Sequence, residues 1–244
     1  MKKMLLSLLV YSQIATATSP SVTRILRKVD DNRSSEAFEI VSEMIVQGQR
    51  FERKIKSKSL IVGSEKAFTE YLSPKREKGT KMLKVDDKVW IYYPQADRIV
   101  TIAGHMLKQS VMGSDLSYED MMENENLSSS YEGIIEKTET FLDRKTWKLS
   151  LKAKKSSSAY QKKEIWVDQE RFAILKEHYF SSSGTLLKST TVREIKQFGK
   201  RWYPTSIIFK DELKNGKGTG FLVHSIKFLK TYDSRKFEKR NLRR

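Results

Sequence analysis

At 244 residues, with 38% hydrophobic and 32% charged side chains, the chain has enough apolar material for one packed core. Its polarity is spread along the chain instead of gathered into one disordered tail. It has no cysteine and only three histidines, which excludes a disulfide-stapled scaffold and argues against a transition-metal centre. A formal net charge of +17 points to acidic partners: anionic lipid headgroups, an acidic protein or nucleic acid.

The first residues read as an export address. Lys2 and Lys3 supply a positive start, residues 4–10 an apolar run, and Ala15-Thr16-Ala17 a small-residue cleavage site. The run is shorter than the roughly 20 residues needed to span a bilayer. Cleavage after Ala17 is expected, leaving 18–244 as one domain in the periplasm, with +15 after subtraction of two lysines from +17.

Next, Val22, Ile25, Leu26 and Val29 fall at i, i+3, i+4 and i+7, the apolar stripe of a helix. After Asn32 the period changes. Phe38, Ile40, Met44 and Val46 alternate with polar residues as in a half-buried strand. Strand-like runs follow at 51–62, 66–72, 81–85, 89–93 and 98–102, then at 146–153, 164–167, 173–180, 186–195, 202–210 and 219–228. Turn pairs such as Gly63-Ser64, Ser183-Gly184 and Asn215-Gly216 join them. The pattern predicts a mainly β (α+β) fold, an antiparallel sheet of about eleven strands curled into a barrel or a half-open β-barrel. The N-terminal helix and a short helix at 117–122 would cap its open side. Residues 236–244, the densest basic patch, are expected to be a frayed tail.

No constellation argues for catalysis. Gly113-Ser114-Asp115 lacks the second glycine of a nucleophile elbow, and there is no phosphate-cradling glycine loop. Asp115, Glu119, Asp120 and Glu123 lack the ligand order of a calcium loop. Ser117 reads instead as the cap of a short helix, with Asp120 as its capping-box partner. No catalytic residue, metal site or cofactor is therefore expected.

Apolar side chains do occur where a half-wet sheet should not have them. The run 89–93, Val-Trp-Ile-Tyr-Tyr, is apolar on both faces, so both faces need covering. Met106, Met112, Met121 and Met122 are adaptable side chains that suit either an exchanging ligand or the seam between a lid and a sheet.

The stretch YLSPKREKGTKMLKVDDKVWIYYPQADRIVTIAGHMLKQSVMGSDLSYEDMM resembles the bacterial outer-membrane lipoprotein-sorting protein family, relatives of the carriers LolA and LolB and of the sensor RseB. Its most specific elements are Pro74 with Gly79, Trp90-Ile91-Tyr92 followed by Pro94 and Arg98, and MGSDLSYEDM. WVDQERFAILKEHYFSSSGTLLK and RWYPTSIIFKDELKNGKGT resemble later strands of the family, so the similarity spans nearly all of the chain after the leader.

The resemblance implies the half-open form of the β-barrel, and a non-enzymatic periplasmic carrier that receives the acyl chains of lipoproteins or lipids in an apolar cavity and helps deliver them to the outer membrane. Its partners would be an inner-membrane transporter or an outer-membrane acceptor, with transient membrane-surface contact, no nucleic acid, and a monomeric state. Candidate cavity-wall and lid residues are Met44, Val46, Trp90, Tyr92, Met106, Met112, Leu116, Tyr118 and Met121. Gly113, Ser114 and Asp115 would form the lid turn, with Ser117 and Asp120 as its cap. Two alternatives stay open. One is an RseB-like sensor that regulates a membrane partner. The other is a binder of nucleic acid or acidic polysaccharide, for which Trp202 and Tyr203 beside Lys200 and Arg201 are the one hint.

Overall fold

The computed structural model describes residues 20–33, 37–47, 52–122, 126–156 and 158–243. The expected leader and the strand start at Phe51 lie outside them. Helix α1 (Val22–Arg33) follows the predicted stripe and buries Ile25, Leu26 and Val29. Each such side chain contributes roughly 1.5–3 kcal/mol through removal from water.

The first meander comprises β1 (Phe38–Gln47), β2 (Glu52–Val62), β3 (Lys66–Ser73), β4 (Lys81–Val85), β5 (Lys88–Tyr93) and β6 (Arg98–Ile102). Helices α2 (Tyr118–Met122) and α3 (Leu127–Ser130) follow. The second meander comprises β7 (Tyr131–Phe141), β8 (Arg144–Ala153), β9 (Lys162–Asp168), β10 (Ile174–Phe180), β11 (Leu186–Phe198), β12 (Arg201–Asp211) and β13 (Thr219–Phe228). Both meanders belong to one antiparallel sheet, joined through the β1–β13 pair, with β6 and β7 as its two edges. The barrel is therefore open. It has thirteen strands, two more than the expected eleven.

The strand absent from the sequence reading is β7. At the sheet edge most of its residues are exposed, so no alternation of polar and apolar residues marks it. Its Gly133 is a packing requirement. A Cβ there would lie 2.0 Å from the Ser150 carbonyl oxygen of β8, closer than any side chain can come.

Register assigns the faces. Opposed pairs run from Ile165 through Glu177, Thr190, Phe209 and Thr219 to Val46, and from Met44 through Ile55. The residues beneath α1, including Leu149 and Ile165, therefore share one face with Met82 and Ile91 near the other edge. This inner face carries the helices. On the outer face Leu60, Leu83, Trp90 and Tyr92 meet Phe237 and Leu242 of the C-terminal segment.

That segment is not frayed. Two 3-10 turns, Ser234–Phe237 and Lys239–Arg243, dock it on β3, β4 and β5, with Phe237 9% and Leu242 0% exposed. Asp233 accepts the Arg235 N–H to start the first turn, and the Lys239 ammonium lies 5.7 Å from the centre of the Trp90 ring. No helix among the described residues is long and apolar enough to cross a membrane.

Candidate functional site

Between β6 and α2 the chain crosses the inner face through two 3-10 turns, Gly104–Lys108 and Val111–Gly113. Met112 and Gly113 both take left-handed backbone, φ 52° and 74°, which reverses the chain ahead of α2. A Cβ on Gly113 would lie 2.9 Å from Nη2 of Arg53, which donates to the Met112 carbonyl at 2.7 Å. The helix that follows has a reciprocal capping box. The Ser117 N–H donates to Asp120 Oδ2 at 2.6 Å, and the Asp120 N–H donates to Ser117 Oγ at 3.1 Å.

Asp115 fastens this lid to the middle of the sheet. Its N–H donates to Thr219 Oγ1 at 2.9 Å, while its Oδ2 accepts the Thr219 hydroxyl at 2.6 Å. Its Oδ1 accepts the Asp211 N–H at 3.1 Å, and its carbonyl accepts Lys188 Nζ at 2.8 Å. Lys188 also pairs with Asp211 at 3.0 Å and with Asp120 at 3.6 Å. The Tyr160 hydroxyl donates to Asp120 Oδ1. The Gly-Ser-Asp motif is thus a polar fastening between the lid and the sheet.

A cavity of about 460 Å³ opens on the inner face between α1 and the lid. Its floor is formed by Tyr179 of β10, Thr190 and Val192 of β11, and Ile207 and Phe209 of β12, with Phe38 and Ile61 on the β1–β2 side. Arg33, Trp202 and Tyr203 line it near the end of α1. The size falls in the range of sites for small apolar or amphipathic ligands.

Polar groups within it are mostly engaged. Lys163 is 3% exposed, and its ammonium lies 4.6 Å from the ring centre of Tyr131, 5.1 Å from that of Tyr179 and 5.9 Å from that of Tyr160. Burial, and then the charge of Glu177, pushes the Tyr179 hydroxyl well above its ordinary pKa, so it remains protonated and able to donate. Burial raises Tyr203 as well. Under the lid Tyr118 is pushed up to about 12, first by burial and then by Tyr93.

The site residues expected from sequence separate into four groups. Asp120 is the one that lines the cavity. Met44, Val46 and Tyr118 are buried beneath the lid in one cluster with the half-buried Met106, Met112 and Met121. Leu116 contributes its carbonyl to Val111 N–H, and Gly113, Ser114, Asp115 and Ser117 build the turn and cap described above. Trp90 and Tyr92 do not wall the cavity. They face the opposite side of β5 and lie under the C-terminal segment, because alternation along the strand sends them away from Val89 and Ile91.

The floor residues escaped the sequence reading. Their signal was the alternation Tyr203, Thr205, Ile207, Phe209 in β12, but only the pairing of β10, β11 and β12 brings them beside Tyr179 and Thr190.

The fold, an open antiparallel sheet with helices across one face, is shared with solved structures described as a lipoprotein-sorting domain and a LolA superfamily protein. The chain belongs to a family described as "-like: Uncharacterized protein", whose model matches residues 63–244. No curated protein matches the sequence. Among solved structures, a Vibrio parahaemolyticus domain named for outer membrane lipoprotein sorting is 23% identical with a TM-score of 0.77, covering 91% of this chain and 98% of that one. A DUF1329 family protein from Desulfovibrio piger is 19% identical with a TM-score of 0.81, covering 90% and 97%. A LolA superfamily protein from Nitrosomonas europaea is 23% identical with a TM-score of 0.74, covering 91% and 100%.

Proposed function

We propose that this protein is a periplasmic, non-enzymatic carrier that holds acyl chains of lipoproteins or lipids in its inner-face cavity and helps deliver them to the outer membrane. The observation that carries this reading is the cavity of about 460 Å³ between α1 and a separately fastened lid. Burying a methylene contributes about 0.8 kcal/mol, so a chain of about fifteen would release roughly 12 kcal/mol before the costs of opening and of fixing the ligand. Release requires that this gain be opposed. A ligand that displaces the lid breaks its hydrogen bonds to Thr219, Asp211 and Lys188, each worth about 0.5–1.5 kcal/mol net, and this cost offsets part of the gain.

The test is to block the cavity from its floor. Ile207→Trp adds bulk to a half-buried side chain that lines the site, and overpacking of this kind costs about 1–3 kcal/mol of stability. Palmitate should bind the parent protein and stabilise it against heating, and the folded variant should lose that binding. Equal binding by the two proteins would reject the cavity as the acyl site.

A further inference from the structure

The charges around the cavity are not equivalent. Lys188 is held by Asp211, Asp120 and the Asp115 carbonyl, Lys163 sits among three tyrosine rings, and the Lys176 ammonium lies 4.6 Å from the centre of the Trp166 ring. Asp30 caps α3 by accepting the N–H groups of Leu127 and Ser128, Asp120 is bound to Ser117 and Tyr160, and the charge of Glu177 acts on the Tyr179 hydroxyl. Arg33, the last residue of α1, is different. It lines the cavity, is exposed, and makes no ion pair with any described residue. Beside it in the lining, Tyr203 packs its ring edge-on against Phe38 at 6.1 Å, while its hydroxyl has no hydrogen-bond partner among the described residues. The Arg33 charge acts on both the Tyr179 and Tyr203 hydroxyls, so the guanidinium and these groups share one electrostatic neighbourhood.

We propose that the ligand of this cavity is an amphiphile with an anionic head, a carboxylate or a phosphate, held by the Arg33 guanidinium and the Tyr203 hydroxyl, with its chain lying along β12 toward Phe209. This rests on the acyl-carrier reading above and adds the chemistry of the head. A guanidinium binds planar or tetrahedral oxyanions through two donors, and a phenol supplies a third. Exposure of Arg33 lets the head keep part of its water, while Phe38 and Ile207 cover the start of the chain. Tyr203 and Phe209 are separated by six residues of one strand, roughly 20 Å at the rise of an antiparallel strand, a length that suits an extended acyl chain. A free inorganic anion would leave the aromatic and aliphatic floor unused.

The experiment compares palmitate, its methyl ester and inorganic phosphate on the full exported chain and on Arg33→Ala, Arg33→Lys and Tyr203→Phe, read by isothermal calorimetry. Palmitate should bind about tenfold or more tighter than the ester, since a hydrogen bond to a charged group is worth about 1.5–3 kcal/mol. Arg33→Ala should remove that preference, Arg33→Lys should retain part of it, and Tyr203→Phe should reduce it. Equal binding of acid and ester by the parent protein, or a preference that survives Arg33→Ala, overturns the head-group assignment and leaves the acyl cavity standing. Failure of both lipids to bind overturns the cavity reading and this inference together. Phosphate that binds alone and at the same site, without an apolar chain, would show a free-anion site and overturn the amphiphile.

Discussion

Asp115 and Thr219, 104 residues apart, exchange two hydrogen bonds: N–H to Oγ1 at 2.9 Å and hydroxyl to Oδ2 at 2.6 Å. Thr219 is fully buried, so this pair fixes the lid to the centre of the sheet with little competition from water. Asp115→Ala should cost about 1–3 kcal/mol, because it leaves the proton of a buried hydroxyl without its acceptor. For a chain of this size that corresponds to about 2–4 °C of melting temperature per kcal/mol. Hydrogen exchange should rise selectively across residues 111–122. Unchanged protection there would mean the lid is held by its methionines.

The two faces of β5 make separate predictions. Leu242→Ala removes a fully buried side chain from the outer-face cluster that includes Leu83 and Trp90, and should cost about 2–5 kcal/mol. Palmitate affinity should be unaffected in the folded variant, since the cavity lies across the sheet. A parallel loss of stability and affinity would show that the C-terminal segment and the cavity are coupled.

Acid should unfold the protein partly through Asp168. Burial would raise its pKa, but two bonds from Arg144 and the N–H groups of Arg171 and Glu170 outweigh burial and hold it below the usual range. With the folded pKa depressed, the stabilisation is fully present above the unfolded value of about 3.9 and is lost as pH falls through the folded one. Asp168→Asn should be about 2–4 kcal/mol less stable at neutral pH, with a shallower loss on acidification. Urea titrations at neutral and strongly acidic pH give both quantities, and parallel pH curves for the two proteins would remove Asp168 from the account.

Net charge of +17 should draw the protein to anionic vesicles, where Lys236, Lys239 and Arg240 are exposed on the docked C-terminal segment. The screening length shrinks from about 10 Å at 0.1 M salt to about 3 Å at 1 M, so co-sedimentation with phosphatidylglycerol vesicles should fall steeply over that range. Salt-independent binding would assign the contact to apolar insertion.

Local chemistry was legible in the sequence where a short stretch suffices. The stripe from Val22 to Val29, the Ser117–Asp120 box and the positions of twelve strands all follow from spacing within a few residues. Strand β7 was not legible because an exposed edge imposes no alternation. Trp90 and Tyr92 were assigned to the wrong surface for a different reason. A strand apolar on both faces shows that two covers exist, but which cover meets which face depends on a segment some 140 residues later. The cavity floor needed the register of three strands, and its Arg33 lies on a helix whose visible signal was the apolar stripe.

The most direct measurement of the carrier account is native mass spectrometry of the protein purified from its own cells without detergent, repeated after lipid extraction and again after addition of palmitate. The account predicts a bound mass that extraction removes and palmitate restores, with Ile207→Trp bare throughout. A bare parent protein that also refuses palmitate would contradict it.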